Sequence, residues 1–358
     1  MANETMAGKT YQIGSVVSTT ANWMRKYRIK IYQHTAPVSK SATETYNQAF
    51  AEENASDIFL DVSDLRVVFD VKRFAQNYPN SALVTIYNLN ANTERSIIEE
   101  GYRIVVEAGY QSNYGQIFDG TVIQCNRQKQ EGTDYILNIL ALDGNQFINE
   151  GYCSFTYAKG QTARAVVENI CNKASNPIAL GYASPQLDSI QFSKAIAYSG
   201  QPKQILNDFA KSINGTWYVD NGKLYVIAYS DSADKLPALY GEGELKQGVE
   251  LSPATGLLGN PQQVEFGIQA RCLINPKLMP YGLIHISNQY LTEQLVSIGT
   301  FSQGISTPYM LDSEGIYRIC SVEFKGDARG NDWYSNIIAV DQKGNMASML
   351  TNPNYTGN

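Results

Sequence analysis

The two histidines are the residues of this chain with the widest range of possible chemistry. His34 follows an alternating strand pattern, and His285 lies inside the alternating segment 282–288. A Ser–His–Asp or Cys–His site needs a histidine beside an activated nucleophile. The sequence has no Gly-x-Ser-x-Gly elbow or other nucleophile signature. We therefore predict that His34 ends a strand, that His285 is a hydrogen-bonded strand residue, and that neither is catalytic.

The ligand types that calcium prefers occur together at Asp327, Asn331 and Asp332. Their spacing is not that of an EF-hand, and a polar hairpin turn explains them equally well. Asp231 and Asp234 belong to a similarly polar loop. No His-Glu-x-x-His sequence is present. We predict no metal site and no cofactor.

Pairs of carboxylates are a further type of candidate site, because glycoside hydrolysis uses two of them in a cleft. Asp61 with Asp64 and Glu99 with Glu100 are such pairs, but both lie at turn-like positions typical of solvated surface groups. The glycine-containing segment 241–244 is acidic and repels phosphate. The sequence therefore predicts no catalytic, cofactor-binding or metal-binding residues.

Cysteine number and spacing argue against both disulfides and zinc. The chain has five cysteines and no Cys-x-x-Cys pair. We expect buried free thiols in a reducing compartment. The cysteines are Cys125, Cys153, Cys171, Cys272 and Cys320.

Composition points to a protein whose surface is covered by other subunits. The net charge is −6, only 17% of residues are charged, and tyrosine occurs 24 times. No basic run is present, so a dedicated nucleic-acid binder is excluded. Low charge and abundant tyrosine suit half-buried interfaces.

Targeting signals are not expected. The first ten residues lack the apolar region of a signal peptide, and no segment approaches the roughly 18 apolar residues of a membrane span. Four Asn-x-Ser/Thr sequons are therefore interpreted as chance matches, at Asn3, Asn54, Asn214 and Asn354.

Alternating polar and apolar residues predict antiparallel strands in the first half of the chain. The predicted strands are 27–33, 65–74, 81–89, 102–110, 115–128 and 134–144. A short helix is expected within 90–101, capped by Asn92 or Thr93 and ended by Gly101. This strand spacing favours a sandwich or small barrel.

The pattern changes near residue 155 to a small α+β unit. Apolar residues at helical spacing predict helices over 162–174, capped by Thr162, and over 201–213. A hairpin is predicted over 216–229, around the sequence Asp-Asn-Gly at 220–222. Further strands are expected within 249–341.

The predicted fold is mainly β, with two tube-like antiparallel β-barrel or sandwich domains on either side of the α+β domain. The expected divisions are an N-terminal strand with an insertion loop at 34–56 (1–60), a first tube-like domain (61–154), the α+β domain (155–230), a linker (231–248), a second tube-like domain (249–345) and a flexible tail (346–358).

Two stretches resemble baseplate hub proteins of contractile-tailed phages, of the late-control D type. The first contains Pro-Asn-x-Ala-x-Val-x-Ile-Tyr-Asn-Leu (79–89), Glu-Ala-Gly-Tyr (107–110) and Ile-Phe-x-Gly-x-Val (117–122). The second contains Gly-Asn-Pro-Gln-Gln (259–263) and Cys-Leu-x-Asn-Pro (272–276). The resemblance covers roughly residues 60–345, and the insertion at 34–56 departs from it.

The resemblance implies a non-enzymatic homotrimer that forms a ring in the virion, assembled in the host bacterial cytoplasm. Such a ring joins a six-fold tail tube to a three-fold spike and gives passage to DNA. Its partners would be the tube or tube-initiator protein, the spike, the tape measure protein and other baseplate proteins, without membrane insertion. The net charge of −6 suggests an acidic lumen along which DNA slides. The alternatives are a hexameric distal tail or tube-initiator protein and a tail-associated carbohydrate-active enzyme.

Overall fold

A computed structural model of the protein describes residues 4–6, 9–11, 24–33, 59–129, 134–229, 231, 249–264, 267–291 and 315–341. The fold is mainly β with a small α+β part, as the sequence predicted. Short strands β1 and β2 pair with each other near the N-terminus, over Glu4–Met6 and Lys9–Tyr11. His34, Asp234, the insertion 34–56, the segment 241–244 and the tail 346–358 lie outside the described residues.

The first β region contains seven strands and one helix. The strands are β3 (Arg25–Gln33), β4 (Phe59–Asp61), β5 (Val67–Phe74), β6 (Asn80–Tyr87), β7 (Gly101–Tyr110), β8 (Asn113–Lys129) and β9 (Tyr135–Asp143). In β5, every second residue from Val67 onward is buried, and the residues between them are partly exposed. This period-two burial is why the alternating sequence forms a strand.

Helix α1 (Ala91–Glu100) lies within the predicted range 90–101. Its N-cap is Asn90, whose side chain accepts a hydrogen bond from the Asn92 N–H at 2.9 Å, so the predicted cap at Asn92 or Thr93 was wrong. Gly101 ends the helix as predicted, and its N–H donates to Ile97 O. Asn90 satisfies a free N–H group of the first turn, as Asn does at N-caps generally.

The α+β part has its own apolar core. Its strands are β10 (Cys153–Tyr157), β11 (Ala179–Ala183), β12 (Ile196–Gly200), β13 (Gly215–Asp220) and β14 (Lys223–Ala228). Its helices are α2 (Ala163–Lys173), α3 (Gln186–Ser189) and α4 (Pro202–Ser212), together with a π-helical turn at Gln146–Glu150.

Local signals predicted most of this part. Thr162 caps α2 by accepting from the Ala165 N–H at 3.4 Å. Asn221 and Gly222 both have positive φ, which is the conformation of a two-residue hairpin turn between β13 and β14. The sequence did not predict β11, which pairs in parallel with β14.

The second β region contributes β15 (Val249–Glu250), β16 (Leu257–Val264), β17 (Gly267–Leu273), β18 (Leu283–His285), β19 (Ile316–Asp327) and β20 (Trp333–Asp341). A 3-10 turn lies at Asn288–Tyr290. Among the described residues, no helix is long and apolar enough to span a membrane.

Both β regions belong to one sheet, with the strand order β16-β17-β20-β19-β5-β6-β9-β8-β7-β3-β4. The regions join where β5 pairs with β19, over Val68–Phe74 and Ser321–Asp327. Their buried residues also form one continuous core. The division into separate tube-like domains at 61–154 and 249–345 therefore stays a prediction.

Candidate functional site

Asp327, the last residue of β19, faces an arginine. Arg66 donates to both carboxylate oxygens of Asp327, at 3.3 and 2.8 Å. Hydrogen bonding from Arg66 lowers the pKa of Asp327. Arg25 donates to the carbonyls of Gly330 and Asn331 in the same turn. Arginines from β3 and from the segment before β5 thus hold the turn in place. The described residues contain no group of three His, Cys, Asp or Glu side chains that could hold a metal ion.

His285 lies in β18, as its alternating sequence indicated. Its neighbours on adjacent strands are Glu250 of β15 and Ile316 of β19. The Nδ1 atom is buried and has no hydrogen-bond partner within the described part of the chain. The predicted strand position is therefore correct, whereas the hydrogen bond expected for a buried ring nitrogen is missing at Nδ1.

Asp61 and Glu99, one member of each predicted carboxylate pair, form ion pairs with arginines. Asp61 accepts from Arg28 at 2.9 Å and from Ser63. Partial burial opposes ionisation, but these hydrogen bonds outweigh it and lower the pKa of Asp61. Glu99 pairs with Arg95 one helical turn away, at 3.2 Å. Both arrangements are those of surface ion pairs.

Asp231 differs from the polar loop residue that the sequence suggested. Its side chain is 2% exposed and accepts from the Tyr182 hydroxyl and the Ala228 N–H, each at 3.2 Å. It therefore anchors the end of β14 to the parallel strand β11.

All five cysteines are free, and four of them are buried. Burial raises the pKa of the Cys153 thiol to about 11 and that of Cys171 to about 12. A thiol reacts as its thiolate, so these groups are poor nucleophiles.

The most organised polar site lies where the three regions of the chain meet, and we call it the Arg73 junction. It comprises Arg73 of β5, Asn80 of β6, Asp143 of β9 and Asp220 of β13. All four side chains are buried. Arg73 Nε and Nη2 donate to the two Asp220 oxygens at 2.9 and 2.5 Å. This bidentate geometry fixes both the distance and the orientation of the two groups.

Further contacts connect the Arg73 junction to every region. Asn80 Nδ2 donates to Asp220 Oδ1 and to Val219 O, each at 3.0 Å. The Arg73 guanidinium also lies over the Phe324 ring of β19, 5.9 Å from its centroid. Burial opposes the charged form of Arg73, but the Asp220 carboxylate outweighs it and raises the pKa of the guanidinium.

Asp143 contributes a second buried carboxyl group. Its Oδ1 accepts from the Gly222 N–H at 3.0 Å, which holds the β13–β14 turn against the end of β9. Burial and the nearby charge of Asp220 raise the pKa of Asp143 well above its usual value. Arg73 therefore neutralises one of two neighbouring acidic groups, and the other is stabilised in its protonated form.

A cluster of tyrosines packs beside the charged groups of the Arg73 junction. The Tyr218 ring stacks on Tyr225 at 5.0 Å and faces Tyr281 at 6.5 Å. The Tyr218 hydroxyl donates to Pro280 O, and Arg318 lies over the Tyr281 ring at 4.6 Å. The α+β part is thus docked by directional polar and aromatic contacts.

Sequence reasoning missed this junction although a signal was present. The buried face of β5 carries Val67, Phe69, Val71 and Arg73. An arginine therefore occupies a position at which the alternating pattern predicts an apolar residue. Asp143 likewise follows the buried residues of β9. A charged residue on the buried face of a strand needs a hydrogen-bonding or oppositely charged partner, and a search for such partners would have identified the junction.

Strand β8 changes partner along its length. Its first half pairs with β7 as far as Thr121, and the half from Thr121 to Lys129 pairs with β9. The change occurs at a bulge near Ile123. Strands that change partner at a bulge connect two layers of a sandwich. No strand of the described residues pairs with the second edge of 122–129.

Comparisons with known proteins point to phage tails. The family profile described as baseplate hub gp41 matches residues 49–289. No curated protein sequence matches the chain.

Solved structures similar to this chain include the 43 kDa tail protein of prophage MuSo2 from Shewanella oneidensis, with 10% identity, a TM-score of 0.49, and coverage of 81% of this chain and 95% of that one. A tail protein from Neisseria meningitidis MC58 has 9% identity, a TM-score of 0.49 and coverage of 88% and 96%. The Escherichia coli c3393 protein, a component of the type VI secretion system, has 10% identity, a TM-score of 0.46 and coverage of 78% and 75%.

The profile match alone spans about two thirds of the chain. The protein therefore belongs to the baseplate hub gp41 family and is a structural component of a phage tail baseplate.

Proposed function

We propose that three copies of this chain form a closed ring that joins a six-fold tail tube to a three-fold spike. The observation that carries the proposal is the direct pairing of β5 with β19, which places two β regions side by side in each chain. Three such chains would present six β regions around one axis. A cyclic arrangement of this kind accepts a six-fold neighbour on one side and a three-fold neighbour on the other.

The composition supports extensive permanent contacts. Only 17% of residues are charged and tyrosine is abundant, which suits surfaces that are covered by other subunits. The ring's neighbours would be the tube or tube-initiator protein, the spike and the tape measure protein. Assembly in the host bacterial cytoplasm belongs to the same proposal.

Passage of DNA through the ring is a second part of the proposal. The core-facing side of the sheet is closed by packing, so the opposite face is the one available to a channel. On that face Lys72, Glu323, Lys325 and Asp70 form a ladder with separations of 3.1 to 3.8 Å. These charges offset each other, so an acidic lumen needs acidic residues elsewhere. A positive potential along the channel of an assembled ring would contradict the acidic lining.

The mass of the purified chain in solution, measured by light scattering, tests the proposal. Three times 39.6 kDa is the expected result. A hexamer would instead favour a distal tail or tube-initiator protein. A stable monomer, also after mixing with tube and spike proteins, would contradict the ring. Loss of turbidity from a peptidoglycan suspension would contradict the proposal that the role is non-enzymatic.

A further inference from the structure

One β layer has a buried surface on the side that faces away from the apolar core. The layer consists of β4, β3, β7 and the first half of β8, which pair in that order. Ile29 and Ile31 of β3 belong to the core. Because successive side chains of a strand point to opposite faces, Lys30 and Tyr32 point away from the core. We call the side of the layer that carries Lys30 and Tyr32 the outward face.

Burial on the outward face increases along β3 toward the end of the strand. Lys26 is exposed, and the Arg28 side chain is 42% exposed. Lys30 and Tyr32, which follow on the same face, are only 4% and 3% exposed. Val105 of β7, the partner of Lys30, is buried as well. The buried part of the face therefore lies near the C-terminal end of β3.

Contacts within the layer explain only part of this burial. Lys30 Nζ lies 3.2 Å from Glu107 Oε1, and the Tyr32 ring centroid lies 5.7 Å from that of Phe59. These neighbours stand beside Lys30 and Tyr32 on the same face, and side chains in such a row leave their solvent side open. The single chain buries the face without a neighbouring copy, so the covering atoms belong to the chain itself.

Helix α1 does not supply the covering atoms. Its residue Ile97 belongs to the apolar core. A Cβ atom added to Gly101, the residue after the helix, would lie 2.6 Å from Ile97 O and 3.3 Å from Ile31 Cγ2. The end of α1 therefore packs against the core side of β3, opposite Lys30 and Tyr32.

The insertion 34–56 leaves the sheet and returns to it beside the buried part of the outward face. β3 ends at Gln33, and β4 begins at Phe59, which pairs with Tyr32. The ends of the intervening chain are thus held about 5 Å apart, one strand spacing. Crossing the face from β3 to β8 takes about 10 Å, which an extended chain covers in about three residues. The chain that precedes β3, in contrast, joins the strand at its exposed end.

The charges of the insertion and of the outward face are complementary. The described side chains of the face have a net charge of +1, because four cations lie among three carboxylates. The cations are Lys26, Arg28, Lys30 and Arg103, and the carboxylates are Asp61, Glu107 and Asp119. The insertion has a net charge of −2, from Glu44, Glu52, Glu53 and Lys40. Opposite charges favour contact between the two.

We propose that the insertion 34–56 packs across the outward face of its own chain and covers Lys30 and Tyr32. Tyr46 and Phe50 are the aromatic side chains of the insertion, and their burial against the face stabilises the contact. The insertion is then part of the first β region, and it keeps the cationic and aromatic side chains of the face from contact with other proteins. The proposal concerns one chain and does not depend on the ring.

Acetylation of lysines, followed by mass spectrometry of the peptides, measures whether the face is covered. An amine reacts only where the reagent reaches it, so Lys30 should react several-fold more slowly than Lys26. Lys72 controls for ion pairing, because its Nζ lies 3.7 Å from Glu323 Oε1 while its side chain is 36% exposed. Lys72 should also react faster than Lys30.

Variants of the chain identify the covering segment. Replacing the insertion 34–56 by a short glycine–serine linker should raise the acetylation rate of Lys30 several-fold and leave that of Lys72 unchanged. Tyr46→Ser with Phe50→Ser keeps the chain length and should act in the same direction. Two control variants lack residues 1–23 or 346–358, and Lys30 should stay protected in both. Circular dichroism shows whether each variant is folded.

Carbodiimide crosslinking distinguishes coverage within a chain from coverage by a neighbouring copy. The reagent joins a lysine to a nearby carboxylate, and a mixture of isotope-labelled and unlabelled chains shows whether the joined peptides come from one chain. Crosslinks within one chain between Lys26 or Lys30 and the glutamates of the insertion are expected. Crosslinks that join different chains overturn the proposal. So does slow acetylation of Lys30 that neither insertion variant changes, or equal acetylation of Lys30 and Lys26 in the native chain.

Discussion

Replacing Arg73 with methionine should destabilise the protein by about 3–5 kcal/mol, the cost of removing one partner of a buried ion pair. Arg73 and Asp220 are both buried and joined by two hydrogen bonds of 2.9 and 2.5 Å. Without the guanidinium, the Asp220 carboxylate keeps, within the described part of the chain, its hydrogen bond from Asn80 and lies beside Asp143 in a buried site. Methionine fills much of the same volume, so the change mainly removes charge and hydrogen bonds.

Lys72→Met is the matched control, since Lys72 is the adjacent residue of β5 and lies on the opposite, partly exposed face. Its nearest carboxylate is Glu323 at 3.7 Å. An ion pair with this exposure contributes below about 1 kcal/mol. Both variants are compared with the native chain by urea denaturation at one protein concentration. Arg73→Met should lower the midpoint by roughly 1 M or more, on ordinary m-values.

The double variant Arg73→Met with Asp220→Leu completes the cycle. Removing both charges relieves the uncompensated carboxylate, so much of the lost stability should return. Equal midpoints for Arg73→Met and Lys72→Met would refute the reasoning. A double variant that loses the sum of the two single losses would also refute it, because the two side chains would then act independently.

Other substitutions test the junctions separately. Asp143→Asn keeps an oxygen acceptor for the Gly222 N–H and removes the ionisable group. Because burial raises the pKa of Asp143, the folded state holds its proton more tightly than the unfolded state, and this contribution to stability is lost as pH rises through the folded pKa. The native urea midpoint should therefore fall more between pH 5 and pH 8 than that of Asp143→Asn, and parallel profiles would contradict this assignment. Gly326→Ala should cost about 1–3 kcal/mol in the free energy of unfolding, because the new methyl group would overlap the Phe69 ring at the β5–β19 junction. Gly115→Ala is its control, because Gly115 also lies in a strand without a positive φ and the nearest atom to the added group would be Pro276 Cβ at 3.3 Å; a loss as large as that of Gly326→Ala would remove the steric explanation.

Local patterns in the sequence predicted local structure well. Alternation identified β5, β6 and β9 because each has one buried face. Strand β7 was also predicted, although its buried residues are consecutive. Thr162 identified the start of α2, and the sequence at 220–222 identified a hairpin, because caps and turns depend on a few adjacent residues. The family resemblance also predicted the baseplate hub assignment correctly.

Pairing between distant segments was not predictable from such patterns. Val68 and Asp327 are partners in the β5–β19 junction although more than 250 residues separate them. Alternation shows which face of each strand is buried and does not identify its neighbour. The short strand β11 was missed because glycine and mixed exposure leave it without an alternating pattern.

The polar character of the Arg73 junction has a consequence for the proposed ring. Apolar contacts are non-directional, so an aliphatic junction would hold the α+β part in place with little constraint on its angle. A bidentate guanidinium–carboxylate pair and stacked tyrosines permit one relative orientation. A ring closes only when every copy has the same shape, because angular errors accumulate around the axis. We infer that the Arg73 junction fixes the orientation of the α+β part in every copy, although a well-packed apolar junction would make the fold more stable. A double variant Arg73→Met with Asp220→Leu that regains native stability and still gives only trimers would show that this orientation is not needed for closure. Mixed or open assemblies from the same stable variant would show that it is.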